Sequence, residues 1–281
     1  MSVEEDIKKF NKKHPWPGVD GIKSLYRFHK IDTGSINFLE ELFLNGKLYH
    51  ALPTQFNDPF ECRPHFNWPS NPNKVRDIRK RLIKVARDNG STKKEAEKIV
   101  SENMSKEGFV ENIIYKAIQN TFRKMRICCF TKSKDNLLFW AHYADSHKGF
   151  CIEYDATIIP IKLAFKVTYE NEYPEVEYPR PEDARGLEPA LIKSKDWEYE
   201  NEYRTIYIPE AQSSPPGDGI SMLLPKNAIK NIYFGSDIEE SNKKMILKLI
   251  SKGPFNPQVW QASLSKSSFY LEFINESSNS A

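Results

Sequence analysis

The sequence predicts an α+β fold with a mixed β core and one helical insertion. Three observations predict it. Short, aromatic-rich runs with period-two alternation recur near both ends of the chain. Between them, residues 73–124 are rich in Lys, Arg, Glu, Ile and Ala, lack proline and place apolar residues at helical spacing. The 281 residues, 39% hydrophobic and 12% aromatic, suit one large domain spanning the whole chain.

The elements follow in order. Residues 1–20 read as a loosely ordered N-terminal arm, with PWPG as a turn. Residues 24–29 alternate and form a strand. Asp32-Thr-Gly-Ser35 supplies turn and cap chemistry for a helix over 36–44, in which Phe38, Leu39, Leu42 and Phe43 share a face. Asn45-Gly46 ends that helix in the left-handed conformation that glycine permits. Residues 48–52 are a short strand, and 53–59 a loop.

In the insertion, Val75, Ile78, Leu82, Ile83 and Val85 mark one helix. Ser91 or Thr92 caps the next, and Ile113, Ile114, Ala117 and Ile118 mark a third. Residues 126–131 return to strand, 136–145 hold a helical turn or two, and 150–154 and 164–169 are strands. A proline- and charge-rich loop fills 173–188, and 191–195 read as a short helix. Strands are expected at 200–208, 220–224 and 228–235, with a flexible loop at 213–219. A helix over 243–251, a last strand over 267–274 and a polar tail at 275–281 complete the chain.

Composition excludes several classes. The mean hydropathy is −0.62, and no run approaches the ~20 apolar residues of a membrane span. The charged N-terminus lacks a signal-peptide core, so a cytoplasmic protein with no membrane partner is expected. Cys62, Cys128, Cys129 and Cys151 form no CxxC pair and read as free thiols. The net charge is +3, but residues 74–126 hold 15 Lys and Arg against 7 Asp and Glu. A basic segment on a mildly acidic body points to a polyanion such as nucleic acid, or to a solvated helix face.

Chemistry concentrates in clusters that mix aromatics with ionisable groups: 25–29, 56–61, 140–149 and 197–204. Tyr26 lies in the first, where Arg27 and His29 share a strand face and suit a phosphate, a nicotinamide or a plain ion pair. Asn57-Asp58-Pro59 is a good turn, anchored by Phe56 and Phe60. Trp140 and His142 begin the third cluster. His142 and His147 are five residues apart, which misses the helical zinc spacing, and no HExxH occurs, so no metal is expected. Neither GxGxxG, a Walker loop nor GxSxG is present. Glu200, Glu202 and Arg204 fall on one face of the last cluster's strand. Paired carboxylates there stabilise a cationic transition state or orient a nucleophile, unless Arg204 simply neutralises them.

These clusters, in this order, resemble the bacterial family known as domain of unknown function 2971. The motifs are FNDPFE (56–61), WAHYADSHKGFCIEYD (140–155), KSKDWEYENEYR (193–204) and LPKNAIKNIYFG (224–235). The opening LYRFHKIDTGSINFLEELFLNGKLYHALP is similar, more distantly, to the start of ADP-ribosyltransferase-type domains. Those domains carry a late glutamate, often within E-x-E, and Glu200-Asn-Glu202 matches that placement. The Ser-Thr-Ser motif of one transferase class is absent, and the His-Tyr-Glu pattern of the other is incomplete.

That similarity implies a mixed β core of the ADP-ribosyltransferase type and NAD as substrate. It makes Glu202 the catalytic glutamate, with Glu200 orienting the acceptor. Arg27, His29, Tyr26, Asn57, Trp140 and His142 become the cofactor contacts. A toxin or phage-defence effector fits such an enzyme. Two other functions remain open: a non-enzymatic nucleotide or nucleic-acid binding module, and a metal-independent nuclease using Glu200, Glu202 and a histidine.

Overall fold

The computed structural model describes residues 3–176, 178, 187–211 and 214–276. Its chain order opens with α1 (Val3–Lys13), β1 (Ser24–His29), α2 (Ile36–Asn45) and β2 (Lys47–Tyr49). The insertion forms α3 (Pro72–Asp88), α4 (Lys93–Asn103) and α5 (Phe109–Arg123). Then come β3 (Arg126–Thr131), α6 (Leu137–His142), β4 (Phe150–Asp155), β5 (Phe165–Lys166), β6 (Thr168–Glu170), β7 (Ile192–Ser194) and β8 (Glu202–Tyr207). The last elements are β9 (Ser221–Leu223), β10 (Ile229–Phe234), α7 (Glu240–Lys252), β11 (Gln258–Leu264) and β12 (Leu271–Asn275).

Among the described residues, eight strands form one mixed sheet in the order β12-β11-β10-β4-β1-β3-β8-β5. Every neighbouring pair in it is antiparallel except β10 with β11. Two small sheets flank it, β2 with β9 and β6 with β7. Helices α2 and α7 cover one face, burying Leu39, Leu42, Phe43, Ile246 and Ile250 against Phe150, Ile152, Tyr154 and Phe234. Fully burying each such side chain contributes about 1.5–3 kcal/mol. The opposite face carries an aromatic cluster of Phe28, Phe139, Trp140 and Tyr233. The insertion has its own core, with Ile78, Leu82, Val100, Val110 and Ile114 packing toward Met125 and Ile127.

Local chemistry explains the boundaries. Asp32 and Ser35 bond reciprocally ahead of α2, with Ser35 N donating to Asp32 Oδ1 at 2.7 Å and Asp32 N to Ser35 Oγ at 2.9 Å. Gly46 closes α2 at φ 69°, and its N–H reaches Leu42 O. Thr92 and Glu95 form a capping box on α4.

Several expectations need correction. The N-terminal arm contains helix α1, because its acidic first turn and basic last turn suit the helix dipole. Phe10 packs edge-on against Phe165 at 5.5 Å, and Lys13 pairs with Glu170 and Glu188 at 3.0 and 2.8 Å. The run 164–169 splits between two sheets, as β5 and β6. Residues 191–195 contain strand β7 rather than a helix, since β6 offers a parallel partner. The strand expected from 200 starts at Glu202 (β8). Strand β11 went unread because Gly253, Pro254 and Pro257 crowd its start. Residues 1 and 2 of the arm, 213 of the 213–219 loop, 177 and 179–186 of the long loop, and 277–281 of the polar tail lie outside the described residues. No helix is long and apolar enough to cross a membrane among the described residues.

Candidate functional site

The sheet opens along one seam. β1 pairs with β4 from Ser24↔Asp155 to His29↔Phe150. β3 pairs with β8 from Arg126↔Tyr207 to Thr131↔Glu202. Between β1 and β3 the only register pair is Tyr26↔Thr131 among the described residues. Ala51 instead bridges to Ile127 and wedges the far end. A cavity of about 540 Å³ occupies the seam. It is large enough for a small-molecule ligand.

The two sides of the seam differ in charge. Alternation puts Tyr26, Thr131 and Glu202 on one face of the sheet and Arg27 with His29 on the other. Arg27 donates to Tyr49 O at 3.3 Å and contacts Cys128 Sγ. The hydrogen-bond partners of its guanidinium are thus a carbonyl oxygen and a thiol. Beside it, His29 stacks on Phe150 at 5.2 Å. Burial and the Arg27 charge keep His29 neutral well below the usual histidine range. Its Nε2 is buried without a hydrogen-bond partner.

The other side is a buried ion network of three carboxylates and two cations. Lys193 Nζ lies 3.0 Å from Glu61, 2.7 Å from Glu200 and 3.7 Å from Glu202. Arg204, fully buried, clasps Glu202 with Nε and a terminal nitrogen at 2.8 and 2.7 Å. The same terminal nitrogen reaches Glu61 at 2.5 Å. Burial pushes the Glu202 carboxyl up, but Arg204 and Lys193 outweigh it and hold it at about 2. Glu200 goes the other way. Burial and the Glu202 charge raise it above the usual carboxylate range, against Lys193 and Tyr143. Tyr143 OH donates to Glu200 at 2.6 Å. Cys129 also lines the seam, yet burial and Glu202 hold its thiol protonated. It is therefore a poor nucleophile.

Glu200 and Glu202 reach this network by different routes. Glu200 ends a 3-10 turn spanning Lys195–Glu200. Asn201, left-handed at φ 45°, turns the chain into β8. The expected shared strand face therefore belongs to Glu202 and Arg204, not to Glu200.

Of the residues singled out in the sequence, Tyr26, Arg27, His29, Asn57, His142, Glu200 and Glu202 all line the seam cavity. The Tyr26 ring turns toward Tyr233, 6.4 Å away. Trp140 does not reach the cavity. It is fully buried, with Nε1 donating to Lys134 O at 2.8 Å and Phe28 set against it edge-on. Sequence reasoning passed over Glu61, Tyr143 and Lys193 as site residues. Each sits inside a quoted motif, but nothing in its spacing distinguishes it from surface charge. Among the described residues, no group of three or more His, Cys, Asp or Glu is arranged to hold a metal ion.

Fold and site together define an α+β protein with a split sheet and a cleft that is cationic on one face and acidic on the other. Residues 139–205 match the model of the family described as protein of unknown function (DUF2971), which supports the resemblance that the motifs carry. The matched span carries Tyr143, Lys193, Glu200, Glu202 and Arg204. No curated protein and no solved structure matches the chain.

Proposed function

We propose that the seam binds NAD and cleaves its nicotinamide–ribose bond, passing ADP-ribose to an acceptor or to water. The observation that carries this reading is the cleft's polarity. Arg27 offers a cation whose hydrogen bonds go to a backbone carbonyl and a thiol. Across the seam, three carboxylates face two cations. NAD has the complementary polarity, with an anionic pyrophosphate and a cationic nicotinamide ribose.

The chemistry follows from the charges. As the C1′–N bond breaks, its electron pair leaves with nicotinamide and positive charge develops on the ribose. Fixed negative charge nearby stabilises that transition state. Glu202 is committed to Arg204, so the carboxylate placed to do this is Glu200. Tyr143 and Lys193 donate to its two oxygens and fix its orientation. Arg27 positions the pyrophosphate, which contributes orientation rather than bond-making.

A calorimetric titration tests the binding half of the reading. NAD should bind more tightly than either ADP-ribose or nicotinamide alone, and Arg27→Gln should weaken NAD and ADP-ribose together. Equal affinity of wild type and Arg27→Gln for all three ligands would contradict the proposed orientation.

A further inference from the structure

We propose that helix α3 is a docking surface for a nucleic-acid strand, separate from the seam. The helix PNKVRDIRKRLIKVARD carries seven Lys and Arg against two Asp. Four of its seven cations share one stripe. Arg76, Lys80, Lys84 and Arg87 recur at i, i+4, i+8 and i+11, which places them within an arc of about 80° on the helix surface. All four are exposed. The stripe lies opposite Ile78 and Leu82, which are buried in the core of the insertion.

Neighbouring α4 shows what a merely solvated helix needs. Its lysines alternate with glutamates, in i, i+4 pairs Lys93–Glu97 and Lys98–Glu102 at 4.0 and 3.8 Å. On the α3 stripe, Arg76 donates to the Asn73 amide at 2.5 Å. Lys80 meets Asp77 at 3.4 Å, an exposed pair. Such a pair contributes about 0–1 kcal/mol, so little holds Lys80 back from another partner.

The partner chemistry follows from spacing and from what the helix has already buried. Arg76 to Arg87 spans about 16 Å of helix axis. A duplex strand presents about five phosphates over that rise. A lipid surface fits poorly, because membrane-lying helices insert their apolar face, and α3 has buried its own against α4 and α5.

Fluorescence anisotropy with short labelled single-stranded RNA, single-stranded DNA and duplex DNA tests the proposal. Wild type should bind at least one of them at about 50 mM salt and weaken toward about 200 mM. The slope of log K against log salt should be about −3 for a single strand or about −4 for a duplex, as four phosphate contacts require. Arg76→Gln, Lys80→Gln, Lys84→Gln and Arg87→Gln combined should lower affinity at least tenfold and flatten that slope. The variant should keep the wild-type thermal melt, since all four side chains are exposed. Lys93→Gln, Lys94→Gln and Lys98→Gln combined, on α4, should leave binding unchanged. A wild type that binds none of the three probes overturns the proposal. So does a four-site variant that binds as wild type does. Neither result bears on NAD turnover at the seam.

Discussion

Removing one charge from the buried network should cost stability in a way set by which sign is removed. The network holds Glu61, Glu200 and Glu202 against Lys193 and Arg204, a formal excess of one negative charge. Glu202→Gln brings the count to balance, yet it breaks the two-point clasp on Arg204 and turns an amide NH₂ toward a guanidinium. Arg204→Gln doubles the excess. It leaves Glu61, Glu200 and Glu202 to share Lys193, whose side chain is 4% exposed. Breaking a buried pair from one side costs about 3–5 kcal/mol. Glu202→Gln should fall at or below the bottom of that range, because it relieves repulsion on Glu200. Arg204→Gln should exceed it by about 2 kcal/mol or fail to fold. Urea denaturation of both variants beside wild type measures the difference. Where Arg204→Gln is too unstable to purify, that failure beside a folded Glu202→Gln gives the predicted order. If Glu202→Gln costs as much as Arg204→Gln, the charge-count reasoning is wrong.

Acid should weaken the fold through Glu202. Its folded value near 2 lies below the ordinary 4.5, so its contribution of about 3 kcal/mol is complete above pH ~4.5 and is lost as pH falls toward ~2. Glu200 is shifted upward and acts with the opposite sign at higher pH, gaining stability as pH falls toward ~4.5; urea melts from neutral pH down to pH ~2 read both effects in turn. Gly149→Ala should destabilise by about 3 kcal/mol, because an added Cβ would sit 2.1 Å from His29 O and 3.0 Å from Ala144 Cα. Its denaturation midpoint in urea is the check, and a change under about 1 kcal/mol would mean the His29 strand end yields easily. Arg27→Gln should lower NAD affinity ten- to a hundredfold, the worth of a charged hydrogen bond, with little change in thermal melt, since no carboxylate is left unpaired. A large fall in melting temperature would instead make Arg27 a structural residue.

Much of the fold was legible because local signals and tertiary structure agree. Strand β1 spans the residues that its sequence marks, Ser24–His29, and Gly46 ends α2 in the left-handed conformation expected of it. The helical insertion follows from the loss of proline and the 3.6-residue period. Where local signals were weak, pairing decided. Ile192-Lys-Ser has too few residues to show a period, so only its partner β6 makes it a strand. Gln258–Leu264 hid behind glycine and prolines, and its place next to β10 is a long-range fact.

The site was half legible for the same reason. Arg27, His29, Glu200 and Glu202 announce themselves as ionisable groups among aromatics. The opening between β1 and β3 does not, because a missing register pair leaves no mark on either strand. Trp140 illustrates the reverse error. Its motif reads like a pocket wall, but its indole N–H is satisfied by Lys134 O inside the aromatic core. Glu200 and Glu202 also show the limit of the i, i+2 rule, since one left-handed residue, Asn201, breaks the strand between them.

Nicotinamide release tests the account most directly. Purified wild-type protein is incubated with NAD at neutral pH beside Glu200→Gln, Tyr143→Phe and Glu202→Gln, and free nicotinamide is followed by chromatography. Wild type should release it. Glu200→Gln should lose about a hundredfold in rate, on the order of 3 kcal/mol, while keeping the wild-type melt more closely than Glu202→Gln does. Tyr143→Phe should fall between, since it frees Glu200 without removing its charge. A wild type that releases no nicotinamide, or a Glu200→Gln variant as fast as wild type, would contradict NAD cleavage by Glu200 in the seam.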